Sequence, residues 1–296
     1  MPLHRLPARR ATGTLMVVIG VLTLSLDGLL IRLVGASGPD ILFWRGLFMV
    51  IALTVVVRLM TGQWITQRLR GGGRDTPWVV GCFALTNFLF VFAVLNTAVA
   101  NAVVILAASP LFAALLSGWL LKEWIPVRTW IAMAVVFAGI VGVFAGSLET
   151  GGLLGDALAL AAAFIIGLKL TLLRRSPDID RIAAIGTGGL LGALVALPLA
   201  APLAVGGASL ALLAAMGSVQ MPLALVLIAL ATHHLPAGEV AMFLVLEAVF
   251  GSLWVWWVLA EAPPPATLIG GTLVLVTLAV HSWLAWREDE SGIDMP

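Results

Sequence analysis

Ten long apolar segments alternate with short polar connections along this chain, each about 20 residues long. A helix of that length crosses the ~30 Å hydrocarbon core of a bilayer and satisfies its own backbone hydrogen bonds, which lipid cannot do. The pattern therefore predicts ten membrane-spanning helices. We number them spans 1–10 in chain order: Thr12–Val34, Ile41–Met60, Trp78–Asn96, Ala100–Leu121, Arg128–Gly146, Leu153–Leu173, Ile182–Ala201, Leu210–Thr232, Gly238–Leu259 and Ala266–Trp286.

The ten segments form two sets of five that align with each other. A shift of 138 positions lays residues 10–147 over residues 148–285 without a gap, and Glu123 at the end of span 4 then falls on Glu261 at the end of span 9. Each set holds an odd number of spans, so the second set must cross the membrane in the opposite direction, as it does in many transporters. The sequence thus predicts an all-α integral membrane protein whose ten transmembrane helices form two inverted five-helix repeats.

The domain organisation follows from this alignment. We expect the first repeat to occupy residues 1–147 and the second, inverted repeat to occupy residues 148–287. Residues 288–296 are polar and acidic, which predicts a short disordered tail on the cytoplasmic side.

Composition supports a membrane protein and excludes several other classes. The chain is 61% hydrophobic and only 10% charged, with a mean hydropathy of +1.11, which is more apolar surface than a soluble core can absorb. The net charge is +1 and the basic residues are dispersed, so no nucleic-acid-binding face is indicated. The single cysteine, Cys82, lies inside span 3 and excludes a disulfide framework or a thiolate metal site. We therefore expect no metal site and no cofactor.

Basic residues predict the orientation of the chain, because lysine and arginine are retained on the cytoplasmic side. All but three of the 16 lysines and arginines lie in loops or helix ends on the side of the N-terminus. The exceptions, Arg32, Arg45 and Lys169, lie within spans. Both termini are therefore expected to be cytoplasmic.

Short motifs in the first repeat resemble a known family. Phe43-Trp44-Arg45 opens span 2, and Pro110 precedes Glu123 by thirteen residues in span 4. Together with the inverted repeat, these features resemble the EamA-type branch of the drug/metabolite transporter superfamily. The resemblance implies a multi-pass protein of the bacterial inner membrane that exports small metabolites by alternating access.

Further residues indicate which branch the chain is most similar to. The connection before span 4, the Asn101-Ala102 start and the early Pro110 look most similar to bacterial exporters of amino acids, the aromatic ones included. The second repeat departs from this pattern, since Ala248 replaces the proline and Glu247 directly precedes it. This departure argues against a strictly symmetric substrate site.

Ionisable groups inside spans are costly, so each is a candidate for function. Glu247 lies at the middle of span 9 and is the best candidate for a residue of a water-filled cavity, with a structural pair as the alternative. Asp27 in span 1 either contacts substrate or pairs with Arg32 or Arg45. Lys169 in span 6 either binds a substrate carboxylate or extends towards the cytoplasmic interface.

Uncharged side chains complete the candidate set. Asn87, Asn101 and Gln220 can hydrogen-bond at depth, as substrate contacts or as contacts between helices, and Trp44 is expected near the pathway because it precedes Arg45. Proline frees backbone carbonyls within a helix, which suits a hinge. The hinge candidates are Pro110, Pro198 and Pro222.

Enzyme motifs are absent from the sequence: there is no phosphate-binding loop, no zinc-protease motif and no nucleophile elbow. We therefore predict that the chain is no enzyme and that transport is secondary or facilitative. The expected substrates are amino acids or similar small solutes, and the alternative is efflux of drugs or lipophilic cations. A membrane-embedded sensor or enzyme is disfavoured. The expected partners are the substrate and the lipid bilayer, and monomer and homodimer remain open alternatives.

Overall fold

The computed structural model describes residues 5–231, 234–235 and 237–291, and this part of the chain contains helices and no strand. Its α-helices confirm the predicted all-α membrane fold. Nine spans among the described residues are long and apolar enough to cross a membrane, and Phe243–Leu259 in span 9 is a shorter apolar helix. In chain order the helices are Arg5–Ser25 and Asp27–Val34 (span 1), Gly38–Thr61 (span 2), Ile65–Leu69, Thr76–Asn96 (span 3), Val99–Leu106 and Ser109–Leu120 (span 4), Val127–Thr150 (span 5), Leu153–Arg175 (span 6), Arg181–Ala196 (span 7), Gly207–Ala215 and Met221–Ala231 (span 8), Ala237–Leu259 (span 9) and Pro265–Ser291 (span 10).

Several helix ends differ by a few residues from the sequence-based bounds, and two of them bear on the predictions. Span 7 stops as an α-helix at Ala196 and continues as the 3₁₀ turn Leu197–Leu199, because Pro198 has no N–H to donate to the preceding turn. The last helix continues to Ser291, four residues beyond the predicted end of the second repeat. Residues 292–296, the rest of the predicted tail, lie outside the described residues.

The packing of the spans has the symmetry of the sequence repeat. Span 3 packs on span 6, and its equivalent, span 8, packs on span 1. Span 4 packs on span 6, as span 9 does on span 1, and span 3 packs on span 7, as span 8 does on span 2. Equivalent spans also contact each other directly, as spans 2 and 7, spans 4 and 9, and spans 5 and 10 do. Exchanging the repeats therefore preserves these contacts, as a two-fold pseudo-symmetry axis requires.

Two residues at equivalent positions of the repeats share an unusual backbone conformation. Among the described residues, Lys122 (φ 56°) and Ala260 (φ 55°) are the non-glycine residues with positive φ, and the 138-residue shift places one on the other. Each ends its span and precedes a glutamate. Glu123 pairs with Arg174 in the last turn of span 6 (3.1 Å), whereas Glu261 pairs with Arg32 at the C-terminal end of span 1 (3.7 Å). The equivalent turns thus lie at opposite ends of the helical bundle.

Glycines let two pairs of equivalent spans approach closely. A Cβ at Gly46 in span 2 would collide with the carbonyl oxygen of Gly189 in span 7. In the same way, Gly139 in span 5 packs against the backbone of Gly270 in span 10. Spans 5 and 10 thus pack on each other within one chain.

Ion pairs connect the inter-span segments at the end of the bundle where the N-terminus lies. Asp75, which precedes span 3, accepts hydrogen bonds from Arg175 (2.8 Å from Nε) and from the hydroxyl of Ser176 (2.6 Å). Arg68 similarly pairs with Asp180, whose other oxygen caps span 7 by accepting from Ala183 N (2.9 Å). The bonds from Arg175 and Ser176 hold the pKa of the Asp75 carboxyl below its usual range.

Asp75→Asn is expected to destabilise the protein at neutral pH but not in strong acid. A carboxyl whose pKa is depressed by folding stabilises the folded state above its unfolded pKa of about 4, and this contribution disappears as the pH falls through the lower folded value. Because Arg175 is half-exposed and screened, we expect only about 1 kcal/mol at pH 7. The difference between the melting temperatures of the two proteins in detergent should begin to shrink below about pH 4 and should vanish below the lower folded pKa. A constant difference at every pH would contradict this origin.

Candidate functional site

Span 1 is interrupted near the middle of the membrane. Its first helix ends at Ser25 and the second begins at Asp27, with Leu26 in a turn between them. The hydroxyl of Ser25 donates to the carbonyl of Leu22 (2.8 Å), and such side-chain bonds compete with the helix's own hydrogen bonds. The interruption places Asp27 in the first turn of the outer helix, where the helix dipole favours a negative charge.

Spans 4 and 8 are also irregular, and prolines lie at the irregularities. Span 4 breaks at residues 107–108, directly before Pro110. Span 8 widens into the π-helical segment Met216–Gln220, directly before Pro222. Proline removes one helical hydrogen bond and crowds the preceding turn, which accounts for both features. Pro198 differs because it lies in the 3₁₀ turn that closes span 7.

The break in span 4 has no counterpart in span 9, and the sequence explains the difference. The 138-residue shift places Ala248 on Pro110 and Glu247 on Ser109. Without proline, span 9 continues as one helix from Ala237 to Leu259. Glu247 is therefore equivalent to Ser109, the residue directly after the helix break in the first repeat.

Asp27 and Arg45 form a buried ion pair at the broken segment of span 1. Arg45 Nη2 lies 2.9 Å from Asp27 Oδ2, and the exposed fractions of the two side chains are 0% and 6%. Of the partners that the sequence left open for Asp27, the structure shows Arg45, whereas Arg32 bonds Thr97 O (2.8 Å) and pairs with Glu261. The pair is incomplete, since Asp27 Oδ1, Arg45 Nε and Arg45 Nη1 are buried without a hydrogen-bond partner.

Glu247 faces the same region from span 9 and is half-buried. Within the part of the chain that the structure describes, its carboxylate makes neither an ion pair nor a hydrogen bond, and it lies close enough to Asp27 for the two charges to repel. Trp254, on the same helical face, donates from Nε1 to the hydroxyl of Ser25 (3.0 Å). Span 9 thus presents Glu247 towards the interruption of span 1.

Gln220 belongs to this region as well. Its Nε2 donates to the carbonyl of Thr23 (2.9 Å), while its buried Oε1 has no partner. Gly217, in the same π-helical segment, packs against the backbone of Arg45. The structure therefore brings together groups from spans 1, 2, 8 and 9, which we call the central polar cluster: Asp27, Arg45, Gln220 and Glu247.

Lys169 lies apart from the central polar cluster. Its ammonium group lies 4.2 Å from the ring centroid of Phe83 in span 3, a cation–π contact. Asn87 lies one helical turn from Phe83, is half-buried and has no hydrogen-bond partner among the described residues. Lys169 thus lies between spans 3 and 6, and among the described residues neither it nor Asn87 makes a hydrogen bond or ion pair with Asp27 or Glu247.

Trp44 contacts the connection between spans 7 and 8. Its Nε1 donates to Pro202 O (3.2 Å), and its ring stacks on Phe48 with centroids 5.5 Å apart. It is half-buried beside Arg45 in sequence. Its side chain therefore ties span 2 to the second repeat rather than completing the central polar cluster.

Asn101 belongs to a second buried cluster, near the outer ends of the spans. Its amide donates to Ser147 Oγ (2.9 Å) and to Asp156 Oδ1 (3.3 Å), and its carbonyl accepts from Thr267. Asp156 is fully buried and also accepts from Thr97 (2.6 Å). These bonds join spans 4, 5, 6 and 10. Asn101 therefore makes hydrogen bonds that hold helices together, one of the two roles that the sequence left open for it.

Sequence reasoning missed Asp156 as a buried polar residue. The available signal was an acidic residue within predicted span 6, in the first turn of the helix. An acidic residue so close to the end of a span is ordinarily expected to be exposed at the membrane interface. Only the packing of Thr97 and Asn101 over it reveals its burial.

An aromatic cavity of about 510 Å³ opens at the outer end of span 9. Trp256 and Trp257 are exposed, as expected for residues of an interfacial belt, whereas Trp254 is partly buried and bonded to Ser25. Phe250 stacks on Trp254 one turn above Glu247. The cavity therefore lies further along span 9 than Glu247, starting one helical turn beyond it. Its lining residues are Phe250, Leu253, Trp254, Trp256 and Trp257.

Comparisons with known proteins agree with this architecture. Residues 11–145 match the model of the EamA-like transporter family. The pseudopaline exporter CntI of Pseudomonas aeruginosa strain UCBPP-PA14 is 26% identical over 275 residues, which cover 90% of this chain and 94% of the relative, and the protein of the same name in strain PAO1 matches equally. A protein of known crystal structure shares the fold with a TM-score of 0.64 and 21% identity, over 94% of this chain and 98% of that one.

These matches confirm the family recognised from the sequence. The first repeat is similar to EamA-like transporters, the described chain has a multi-pass helical membrane fold, and the relatives that match nearly its whole length are exporters. The structural match, at 21% identity, shows the fold alone. The matches therefore indicate transport as the class of activity, and the substrate has to be inferred from the chemistry of the site.

Proposed function

We propose that the protein exports small metabolites carrying a positively charged amino group, with amino acids as the leading class, across the bacterial inner membrane by alternating access. The observation that carries the proposal is Glu247, a mid-membrane carboxylate without an ion pair in the described chain, beside the incomplete Asp27–Arg45 pair. Intramembrane ionisable groups of this kind mark substrate or ion pathways.

The charge of the central polar cluster favours an ammonium group. Two carboxylates and one guanidinium sum to a net negative charge when all are ionised, and Asp27 is already paired. A substrate ammonium at Glu247 supplies the missing cation. Phe250 and Trp254, one and two turns further along span 9, offer apolar and aromatic surface for the rest of a small substrate.

The two-fold arrangement of the repeats supports alternating access. In inverted-repeat transporters, the two halves rock about a site near the midplane that is built by discontinuous helices. The central polar cluster draws residues from both repeats and lies beside the breaks in spans 1 and 8. The kinship with pseudopaline exporters supports export as the direction.

Efflux of lipophilic cations is a second candidate, and one observation favours it. The aromatic cavity adjoins a carboxylate without a partner in the described chain, and this combination suits a quaternary amine. Such a substrate needs no carboxylate-binding residue, which separates it from an amino acid.

Flux through purified protein in liposomes tests these proposals. We expect uptake of a radiolabelled amino acid above the rate of protein-free liposomes, with a quaternary amine of similar size transported poorly. Preferred transport of the quaternary amine would replace the amino-acid proposal with the second candidate. Absence of both fluxes, in protein that keeps its melting transition, would contradict both.

The proposed orientation has its own test. Reporters fused after Ser37, Ser147 and Gly206 are expected to be periplasmic, because these connections carry few basic residues. Fusions after Gly72 and Pro177 should report the cytoplasm. Membrane-impermeant labelling of cysteines at the same positions provides an independent measurement. A cytoplasmic result at Ser147 would contradict the inverted arrangement.

A further inference from the structure

Three buried atoms in the Asp27–Arg45 pair have no protein partner. Arg45 Nε and Nη1 are donors, and Asp27 Oδ1 is an acceptor. Arg45 is completely buried, and Asp27 is 4% exposed. A buried donor or acceptor without a partner is unfavourable, so these three atoms are available to bond a polar ligand during the transport cycle.

We propose that this pair binds the head group of a zwitterionic substrate, with Arg45 holding the carboxylate and Asp27 and Glu247 holding the ammonium. The inference rests on the proposed amino-acid substrate and adds the residue that recognises its carboxylate. Either unused nitrogen of Arg45 can donate a charge-assisted hydrogen bond to a carboxylate, and Asp27 Oδ1 can accept from an N–H of the adjacent ammonium. Each charge of the zwitterionic head group then faces an opposite charge of the cluster, the ammonium facing the two carboxylates and the carboxylate facing Arg45.

The location of Arg45 favours it over Lys169, the cation that the sequence suggested for this role. Arg45 is bonded to Asp27, and Asp27 in turn lies near Glu247, so all three charges belong to one region. Lys169 contacts Phe83 between spans 3 and 6. A single small head group contacts Asp27 and Arg45 together, whereas no contact links Lys169 to that pair.

The proposal makes a specific prediction about substrate choice. An amino acid and its decarboxylated amine share the ammonium and the side chain, and only the amino acid needs Arg45. Loss of Arg45 should therefore lower amino-acid flux much more than amine flux. Sites that hydrogen-bond a polar group discriminate strongly, so we expect the flux ratio of amino acid to amine to fall ~10-fold or more.

The test must separate recognition from folding, because removing one member of a buried pair leaves an uncompensated charge. The double variant Asp27→Asn/Arg45→Gln removes both charges and keeps a polar side chain at each position. It is compared with wild type, with Arg45→Gln and with Lys169→Met. Each is purified, its melting temperature is measured, and its flux of one amino acid and of the matching amine is determined in liposomes.

We expect the double variant to melt close to wild type and to lose much more amino-acid flux than amine flux, because the amine loses the charge of Asp27 but keeps that of Glu247, whereas the amino acid also loses Arg45. Restored amino-acid flux in the double variant would show that the pair is structural only and overturn the proposal. A ratio changed by Lys169→Met and not by the double variant would assign the carboxylate to Lys169 instead. If wild type transports neither compound, the proposed function itself fails, which is a distinct outcome.

Discussion

Replacement of Glu247 by glutamine is expected to abolish most transport and to leave the melting temperature of the purified protein nearly unchanged. Glutamine keeps the size of the side chain and its capacity for hydrogen bonds but removes the charge. Because Glu247 has no cation partner in the described chain, its loss leaves no buried charge uncompensated. A substrate ammonium loses its principal counter-charge, for which we expect at least a 10-fold fall in flux, or about 1.4 kcal/mol.

The control is the same substitution at a glutamate outside the site. Glu123 pairs with Arg174, which is 65% exposed, and exposed pairs contribute little. Glu123→Gln should therefore keep flux within about twofold of wild type. Both variants are measured on either side of neutral pH, so that protonation of the carboxyl cannot hide its role. Wild-type flux in Glu247→Gln at every pH would contradict a charge-recognition role.

Gly46→Ala is expected to destabilise the fold by about 1–3 kcal/mol or more, because the added methyl group meets backbone instead of a movable side chain. It would collide with the carbonyl oxygen of Gly189 where spans 2 and 7 cross. Relief requires the two helices to separate, which also disturbs Arg45 in the adjacent position. We expect a lower melting temperature and reduced flux together.

Gly192→Ala provides the matched control for this substitution. Gly192 lies one turn beyond Gly189 in span 7, and a Cβ there would meet nothing within 4 Å. Alanine favours a helix over glycine by about 1 kcal/mol, so this variant should melt at or above the wild-type temperature. Equal melting temperatures for Gly46→Ala and Gly192→Ala would show that the two spans do not depend on this close contact.

The helical architecture was predictable because it depends on features that can be recognised in the sequence alone, namely apolar length, the internal repeat and the positions of prolines. Apolar length predicts spans, and the 138-residue alignment predicts the equivalence that the structure shows at Lys122 and Ala260. Pro110 predicts the break in span 4, and its replacement by Ala248 accounts for the unbroken span 9. The break at Leu26 was not predictable in the same way, since it depends on one hydroxyl bond and on packing.

The composition of the site was less predictable because it depends on how each helix is rotated. Asp27 had two arginines within reach of its span, and hydropathy cannot choose between Arg32 and Arg45. Lys169 and Glu247 both lie deep in apolar segments, yet Lys169 contacts Phe83 while Glu247 faces span 1. These pairings are set by contacts between helices far apart in sequence, which residue spacing alone does not specify.

Carbodiimide labelling of Glu247 tests the central claim most directly, namely that the substrate ammonium binds this carboxylate in the middle of the membrane. An apolar carbodiimide modifies carboxyl groups within the bilayer, and mass spectrometry locates the adduct on the peptide. The account predicts that Glu247 is modified and that a saturating concentration of a transported amino acid protects it. Equal modification with and without an amino acid that the same preparation transports would contradict the account.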